Sequence, residues 1–422
     1  MDGTDQDEVL ELETGDIAGG GGCVARAPDG RVVFVRHALP GERVMAQITS
    51  STTSFLRADA IEILEASADR VSPPCVFAGP GRCGGCDFQH VNVAAQRKLK
   101  ATRIADQLQR VAGLDRTVEV EAVEGGADGL GWRTRTRLAV DDEGNVAFRR
   151  HRSHELEYVD SCAISHPDVM ATGTFRARWS GASEVEVVVT PESAEAIVTM
   201  YAVPKSRPRM PDVRAGVIHN GRVLHGPGAV HATVLDKTFE VSPGVFWQVH
   251  VGAAKALVLA VREVLAAQPG DDVVDLYAGA GLFSVFLAED VGHKGSVLAV
   301  ERDRRACADN GFNGQRYGQL TVKKATVTKN LVEKGIGSPT LLVLDPAREG
   351  AGKEVMTAID SHASTLRRVV YVSCDPASFS RDVRVLLNTG WTLSSLRAFD
   401  IFPMTEHVEL VAALEPRREV AN

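Results

Sequence analysis

One cysteine of the chain lies where a nucleophile would be useful. Residues 369–372 form a short apolar run that predicts a buried strand, and Cys374 follows it after one serine. Pro376 disfavours helix at Asp375, so we expect Cys374 in a turn at the carboxyl end of this strand. Open α/β sheets bind ligands at that edge, and a thiolate is a strong nucleophile. The segment therefore favours covalent catalysis over the commoner role of a lone cysteine, a small buried hydrophobe.

Three further cysteines, Cys75, Cys83 and Cys86, lie together in a glycine-rich segment. A Cys-x-x-Cys pair with a third cysteine close by predicts a metal or iron–sulfur site. Three ligands are too few, and the best candidate for a fourth is Cys162, with Cys23 as the alternative. A redox dithiol of Cys83 and Cys86 is the competing interpretation, but it gives Cys75 no role. The residues alone do not choose between iron–sulfur and zinc.

A third candidate site is a glycine-containing turn. Residues 272–281 read as a buried strand followed by a turn with Gly279 and Gly281, after which a helix begins. A second strand, 295–300, ends in Glu301, an acid in a position to bind ribose hydroxyls. The third glycine of a dinucleotide site is missing, which favours S-adenosylmethionine as the ligand.

A fourth apolar strand, residues 340–344, ends in a segment that carries Asp345 and Arg348. Carboxyl ends of parallel strands meet at one edge of a sheet. The three polar strand ends, 275–281, 345–348 and 374–376, are therefore expected to converge on one cleft. Packing alone would rarely produce that convergence.

The part of the chain before this sheet is predicted to form a small barrel, a helix and a second β domain. Residues 9–66 alternate short apolar runs with glycine turns and predict a small OB-like barrel. Residues 93–112 have helical spacing, with arginines and lysines, Lys100 among them, off the apolar face. Residues 130–245 return to a β pattern and predict a central antiparallel domain. A helix is expected over 251–267, ahead of the glycine turn.

Composition limits the function classes. The 422 residues carry a net charge of −8, and the acidic N-terminus lacks the features of a signal peptide. No apolar run reaches the length of a membrane span, and an odd number of cysteines argues against a disulfide framework. A cytoplasmic protein is expected. The negative charge argues weakly against nucleic acid, but basic residues cluster locally, at Arg133, Arg135, Arg137, Arg149, Arg150, Arg152, Lys205, Arg207, Arg209 and Arg214.

Together these motifs resemble the RNA 5-methyluridine methyltransferases, which methylate carbon 5 of uridine in tRNA or ribosomal RNA. The resemblance is carried by Phe-Trp-Gln at 246–248, Asp-Leu-Tyr-Ala-Gly-Ala-Gly at 275–281, Asp-Pro-Ala-Arg at 345–348, Ser-Cys-Asp-Pro-Ala at 373–377 and Phe-Pro-Met-Thr-Glu-His-Val-Glu at 402–409. The N-terminal barrel resembles the TRAM domain of that family. The cysteine segment, with Cys162, resembles the iron–sulfur site of its ribosomal RNA branch.

The resemblance implies roles for individual residues. Cys374 matches the nucleophile that adds to carbon 6 of the uracil, and Glu409 matches the base that removes the proton from carbon 5. Asp345 is expected close to the target base as well. The cofactor-binding positions are Gln248, Tyr277, Gly279, Glu301 and Asp345, and the cluster ligands, for a [4Fe-4S] cluster in preference to zinc, are Cys75, Cys83, Cys86 and Cys162.

The resemblance also implies an organisation and a substrate. The fold class is a Rossmann-like S-adenosylmethionine methyltransferase domain with an N-terminal OB-like TRAM barrel and a central antiparallel β domain. We expect a TRAM-like barrel at 1–66, a cysteine segment at 67–92, a helix on the catalytic domain at 93–124, the central domain at 125–244 and the catalytic domain at 245–422. The expected enzyme is a monomer that acts on RNA, with 23S ribosomal RNA as the favoured substrate. It is not expected to bind a membrane. The alternatives are a tRNA methyltransferase and a non-catalytic RNA-binding protein with the same fold.

Overall fold

The computed structural model of the protein describes residues 8–202 and 209–417. Lys205 and Arg207 of the predicted basic cluster lie outside the described residues. Within them, no helix combines the length and apolar character needed to cross a bilayer.

The N-terminal part is a five-stranded sheet whose strands run in the order β1-β4-β5-β3-β2. Its outer strands, β1 and β2, contact each other, so the sheet curls into the predicted small barrel. The run of four glycines forms the turn before β2, with Gly20 and Gly21 at positive φ, where a Cβ is disfavoured. The strands are β1 (Val9–Glu13), β2 (Cys23–Arg26), β3 (Val32–Arg36), β4 (Arg43–Ser51) and β5 (Phe55–Glu65).

The cysteine segment leads into helix α1 (Val93–Gln107), which is capped by Asn92 and ends in a π-helical turn (Leu108–Ala112). The predicted helix over 93–112 is thereby confirmed. Strand β6 (Val120–Ala122) follows and pairs in parallel with the last but one strand of the chain. This part of the chain therefore joins the catalytic sheet described below.

Lys100 of α1 is an exception to the amphipathic pattern, because its side chain is only 1% exposed. Its Nζ lies 2.5 Å from Asp400 Oδ1 and 3.0 Å from the carbonyl oxygen of Phe402. Burial lowers the pKa of Lys100, and the opposing effect of Asp400 offsets only part of this change. The expectation that Lys100 lies off the packed face was wrong, because a carboxylate distant in sequence makes burial of the ammonium possible.

Replacing Lys100 by methionine is expected to destabilise the protein by about 3–5 kcal/mol, because the buried carboxylate of Asp400 then loses its counter-charge. Chemical denaturation would measure the loss. The matched control is Lys98→Met on the exposed side of the same helix, which should change little. The double variant Lys100→Met/Asp400→Leu should regain most of the stability. Unchanged stability of the single variant would contradict a structural role for the pair.

The central domain is a seven-stranded sheet in the order β13-β12-β11-β10-β7-β8-β9, beside a separate hairpin of β14 and β15. Its pairs are antiparallel except β11 with β12, which are parallel. The elements are β7 (Arg135–Val140), β8 (Val146–Arg149), β9 (Leu156–Tyr158), α2 (Pro167–Ala171), β10 (Ala182–Thr190), β11 (Glu195–Ala202), β12 (Gly216–His219), β13 (Arg222–His225), β14 (Val230–Val234) and β15 (Lys237–Val241).

The C-terminal part is a doubly wound eight-stranded sheet in the order β18-β17-β16-β19-β20-β22-β21-β6. The first five strands in this order are parallel, and β22 is antiparallel to both neighbours. The elements are α3 (Ala253–Leu265), β16 (Asp272–Leu276), α4 (Leu282–Val291), β17 (Ser296–Glu301), α5 (Arg304–Asn313), β18 (Leu320–Lys324), α6 (Lys329–Gly335), β19 (Leu341–Leu344), α7 (Lys353–Asp360), β20 (Arg368–Ser373), α8 (Pro376–Leu387), β21 (Trp391–Asp400) and β22 (Glu409–Pro416).

Alternate residues of the central strands enter two separate apolar cores, one on each face of the sheet. In β20, Val369 and Tyr371 belong to one core, and Val370 and Val372 belong to the other. Strands buried on both faces read as continuous apolar runs, as these do. The sheet is thus a rigid platform whose carboxyl edge presents the polar strand ends.

Candidate active site

Cys374 lies in the short link between β20 and α8. The strand ends at Ser373, and the helix begins at Pro376 with Asp375 as its N-cap. Asp375 has extended φ and ψ of −138° and 115°, and its side chain accepts a hydrogen bond of 2.7 Å from the Ser378 amide. The proline occupies the first helical turn, where no amide hydrogen is required. The predicted turn is therefore confirmed, and the thiol is partly exposed at the edge of the sheet.

Two carboxyl groups face Cys374. The register of the antiparallel pair sets Ser373 opposite Leu410, which brings Glu409, the first residue of β22, beside the cysteine. Asp345 directly follows the neighbouring strand β19. Burial, Glu409 and Asp345, in that order, raise the pKa of the Cys374 thiol to about 12. In the free protein at neutral pH the cysteine is consequently a thiol and not a thiolate.

The carboxyl groups also influence one another. Glu409 is 3% exposed, and burial together with Asp345 raises its pKa well above the usual value. Burial and the nearby Asp275 raise the pKa of Asp345 to about 7. Buried carboxyl groups with raised pKa values can take up or release a proton near neutral pH. The site thus combines the Cys374 thiol with groups suited to proton transfer.

Arg348 and His407 form a contact at the rim that the sequence did not reveal. Arg348 Nη2 lies 2.6 Å from Nδ1 and 3.0 Å from Nε2 of the imidazole. Burial and Arg348 lower the pKa of His407 to about 4, so the ring is neutral at pH 7. The guanidinium also favours the Cys374 thiolate, although the carboxylates outweigh it. A charged donor is therefore available near the Cys374 thiol.

The glycine turn after β16 is tied to the acid at the end of β17. Glu301 accepts hydrogen bonds from the amides of Gly279, at 3.0 Å, and Asp303, at 2.7 Å. Gly279 has a φ of +52°, and the space beside its Cα is open. Gly281 has a φ of +93°, and a Cβ there would lie 2.7 Å from Asn310 Oδ1. The turn therefore needs glycine and leaves room for a ligand against its backbone.

Several polar groups around this turn suit an adenosyl ligand. Within the described residues, Asp275 Oδ1 and Asn310 Oδ1 are buried without a hydrogen-bond partner. Tyr277, which follows β16, has a φ of +64° and is half-buried. Gln248 is 8% exposed and follows Trp247, whose ring lies 5.3 Å from that of Phe239. With the Glu301 carboxylate, these groups surround the turn with polar atoms of the kind that an adenosyl ligand would contact.

The four cysteines of the predicted cluster share one neighbourhood. Cys86 and Cys162 contact the same small apolar group around Trp132. Burial raises the pKa of Cys83 to about 11, with further contributions from Cys162 and Cys75. All are free thiols, and Gln89 Nε2 donates a hydrogen bond of 3.4 Å to Cys86 Sγ. Among the described residues, however, no three His, Cys, Asp or Glu side chains form a group that could hold a metal ion.

Cys23, the alternative fourth ligand, has a different environment. Its side chain is fully buried in the barrel, and its Sγ donates a hydrogen bond of 3.4 Å to the carbonyl oxygen of Ala38. Burial raises its pKa to about 12. These contacts are those of a small buried core residue.

Comparison with known proteins shows which family the chain belongs to. Residues 8–61 match the TRAM domain, and residues 334–417 match the tRNA (Uracil-5-)-methyltransferase family. An uncharacterized RNA methyltransferase of Streptomyces avermitilis is 43% identical over 97% of this chain and 98% of that protein. The 23S rRNA (uracil(1939)-C(5))-methyltransferase RlmD of a Shewanella species is 32% identical over 92% of this chain and 91% of that protein.

A solved structure has the same fold. The tRNA (uracil-54, C5)-methyltransferase of Pyrococcus abyssi, in complex with S-adenosyl-L-homocysteine, covers 96% of this chain and 100% of its own with a TM-score of 0.72 at 20% identity. The predicted fold class is confirmed, as are the TRAM barrel and the cofactor class. The chain belongs to the RNA (uracil-C5-)-methyltransferases, enzymes that transfer a methyl group from S-adenosylmethionine to carbon 5 of uracil in RNA.

Proposed function

We propose that this enzyme methylates a uridine of 23S ribosomal RNA through a covalent bond between Cys374 and carbon 6 of the base. The observation that carries the proposal is the position of Cys374 at one sheet edge with Glu409 and Asp345, near the glycine turn. Carbon 5 of uracil is a weak nucleophile. Addition of sulfur to carbon 6 converts the ring to an enolate with electron density on carbon 5.

The chain's own groups then have complementary roles. S-adenosylmethionine supplies an electrophilic methyl group when it is bound, and Gln248, Tyr277, Gly279, Glu301 and Asp345 are proposed to hold it. Glu409 accepts the proton from carbon 5 after methylation. The electrons of that C–H bond re-form the carbon 5–carbon 6 double bond, and the bond from carbon 6 to sulfur breaks. As sulfur adds to carbon 6, the thiol proton of Cys374 passes to the Asp345 carboxylate, and it returns to the sulfur when Cys374 leaves. The enzyme is thereby regenerated as a thiol, and the proton that Glu409 took from carbon 5 passes to water.

Ribosomal RNA is proposed in preference to tRNA because of two observations. The cysteine segment with Cys75, Cys83 and Cys86 resembles that of the ribosomal RNA branch. The Shewanella relative, which is named as a 23S rRNA methyltransferase, is similar to this chain over nearly its whole length. The target uridine must leave its base stack to reach Cys374, so a single-stranded or flipped nucleotide is expected. A cytoplasmic location and a monomeric state of the protein remain predictions.

A basic cleft between the barrel and the central domain is suited to the RNA backbone. It encloses about 490 Å³ and is lined by the glycine turn before β2, by β3 to β5 and by the turn at 150–155. Arg36 pairs with Asp59 at 3.7 Å, and Arg150 pairs with Glu155 at 3.0 Å. Within the described residues, Arg57 and Arg152 have no carboxylate partner. Burial and Arg152 lower the pKa of Arg57, so the two charges repel each other until an anion binds.

The double variant Arg57→Ala/Arg152→Ala is expected to bind RNA more weakly at low salt. The negative slope of log K against log salt should move towards zero by about 0.7 for each phosphate of a single strand that the variant no longer neutralises. Fluorescence anisotropy with labelled RNA at several salt concentrations would measure both effects. Arg43→Ala is the matched control, because Arg43 lies on the same barrel but pairs with Glu11 and Glu65. An unchanged salt slope would exclude these arginines from phosphate binding.

We also propose that Cys75, Cys83, Cys86 and Cys162 hold a [4Fe-4S] cluster, with zinc as the less favoured alternative. The support is their shared neighbourhood and the hydrogen bond from Gln89 to Cys86. No electron transfer is needed for methylation, so the cluster would shape the RNA-binding side of the molecule. The segment also contacts the loop that precedes Glu409, because the amides of Asp87 and Phe88 both donate to the carbonyl oxygen of Met404.

The cluster proposal predicts that Cys86→Ser lowers the iron content and impairs folding or RNA binding before it impairs S-adenosylmethionine binding. Iron analysis, RNA binding and cofactor titration on the same preparation would measure these changes. Cys23→Ser is the control for the alternative fourth ligand and should keep its metal. A Cys86→Ser protein with all its iron and full activity would rule out the proposal.

The experiment that tests the proposed reaction is a trapping assay. The protein is mixed with S-adenosylmethionine and RNA that carries 5-fluorouridine, and an adduct stable to denaturation is sought. Fluorine cannot leave as a cation, so elimination stalls and the cysteine stays bonded to the base. An adduct with ribosomal RNA but not tRNA supports the proposal, and the reverse favours the tRNA alternative. No adduct with any cellular RNA, while the cofactor still binds, favours a non-catalytic RNA-binding role.

A further inference from the structure

The loop that leads into Glu409 is held by parts of the chain far from the catalytic sheet. This loop, residues 401–408, connects β21 to β22. Gln96 of α1 accepts a hydrogen bond of 2.8 Å from the Met404 amide, and Lys100 donates to the carbonyl oxygen of Phe402. The amides of Asp87 and Phe88 donate to the carbonyl oxygen of Met404. The loop is therefore fixed by the cysteine segment and by α1 as much as by its own sheet.

Glu406 connects this loop to three separate segments. Its Oε2 accepts hydrogen bonds from the Gly20 amide of the barrel, at 2.6 Å, and from Arg103 Nη1 of α1, at 2.8 Å. Its own amide donates to Asp87 Oδ2 of the cysteine segment at 3.2 Å. The carboxylate is 13% exposed, as is the Arg103 side chain. A charge-assisted hydrogen bond to a backbone amide is strong in such a sheltered position.

This junction is close to the reacting groups in both sequence and space. Glu406 is separated from Glu409 only by His407 and Val408. Val408 is buried, and His407 contacts Arg348, which favours the Cys374 thiolate. The backbone has little freedom between these fixed points. A change in the position of Glu406 must therefore be transmitted to the carboxylate of Glu409.

We propose that Glu406 is a positioning residue that couples the docking of the RNA-binding barrel to the placement of Glu409. The inference rests on the proposed role of Glu409 as the base. In the step concerned, the proton on carbon 5 moves to Glu409, the carbon 5–carbon 6 double bond re-forms and the bond to Cys374 sulfur breaks. Addition of Cys374 to carbon 6 precedes this step and does not require Glu406. The barrel thus acts on the second half of the reaction, in addition to binding RNA.

The test compares Glu406→Ala with wild type in two assays. Release of product from unmodified uridine RNA requires elimination, whereas adduct formation with 5-fluorouridine RNA does not. We expect product release to slow by about 10- to 100-fold, the range for a misplaced catalytic group, and adduct formation with 5-fluorouridine RNA to stay within about twofold. A denaturation-stable adduct with unmodified RNA should accumulate in the variant. A merely structural defect would slow both assays together.

Two further variants make the result decisive. Arg103→Met removes the other side of the ion pair and should reproduce the accumulation, so the inference stays testable if Glu406→Ala does not fold. Glu415→Gln, at the far end of the same strand as Glu409, where it pairs with Arg368, should behave as wild type. Equal product release in wild type and Glu406→Ala would overturn the inference. So would a parallel loss in both assays.

The proposed function and this inference can fail separately. If Glu409→Gln accumulates the adduct with unmodified RNA and Glu406→Ala does not, only the positioning role is wrong. If Cys374→Ala still methylates RNA, the covalent mechanism itself is wrong.

Discussion

The Cys374→Ala protein is expected to bind S-adenosylmethionine and RNA normally and to transfer no detectable methyl group. Without sulfur at carbon 6, carbon 5 does not gain the electron density it needs. Loss of a nucleophile in a covalent mechanism typically lowers the rate by about 10⁴-fold or more. Transfer of tritiated methyl groups to ribosomal RNA would measure the loss, and the adduct with 5-fluorouridine RNA should disappear with it. Methylation within about tenfold of wild type would contradict covalent catalysis by this residue.

The pH dependence of adduct formation provides an independent test of the same residue. Burial and the neighbouring carboxylates raise the pKa of the Cys374 thiol to about 12, so the thiolate fraction grows as the pH rises towards that value. The thiolate is the reactive form, and adduct formation with 5-fluorouridine RNA should therefore accelerate between about pH 6 and about pH 9. Cys374→Ser, which keeps the shape of the site, is the control and should give no adduct in this range. A rate that falls with pH would show that the thiol is activated in another way.

The second large effect is expected from Glu409→Gln. Glutamine keeps the size of the side chain but cannot accept the proton from carbon 5 as a carboxylate does. Release of methylated RNA should slow by about 10²- to 10⁴-fold, the usual contribution of a general base. Because addition of Cys374 and methyl transfer precede proton removal, the methylated base should remain bonded to the enzyme. Gel shift under denaturing conditions, with radiolabelled RNA, would detect this species.

The control for Glu409→Gln is Glu415→Gln, which changes an acid of the same strand without touching the site. It should release product at the wild-type rate. If Glu409→Gln slows methylation and no adduct accumulates, Glu409 acts before methyl transfer, and Asp345 becomes the better candidate for the base. Asp345→Asn would then be the variant that accumulates the adduct.

The turn that carries Cys374 could be predicted from the sequence, because local rules determine it. Residues 369–372 are apolar on both faces of a strand, and Pro376 fixes the start of a helix. The glycine turn is similar, since Gly279 and Gly281 have positive φ for reasons that a short segment reveals. Glu409 needed the resemblance, because an acid at the start of a last strand has no local feature that distinguishes it from a surface residue.

Interactions between distant parts of the chain could not be predicted in this way. Lys100 has the spacing of an exposed residue, and only Asp400, 300 positions later, explains its burial. Glu406 has no property in the sequence that connects it to Gly20 or Arg103. Such pairs depend on how complete domains dock, and neither periodicity nor propensity contains that information. Arg348 belonged to a recognised motif, but its contact with His407 required the structure.

The parallel pairing of β6 with β21 has a consequence for biosynthesis. Helix α1 and β6 are made early, yet their partners, Asp400 and residues 398–400, are among the last to be synthesised. At about 5–20 residues per second, the ribosome adds the intervening 300 residues in about 15 to 60 s. During that time the barrel can fold, whereas the apolar face of α1 and the Lys100 ammonium still lack the partners that will bury them. The catalytic sheet can therefore be completed only after translation is nearly finished.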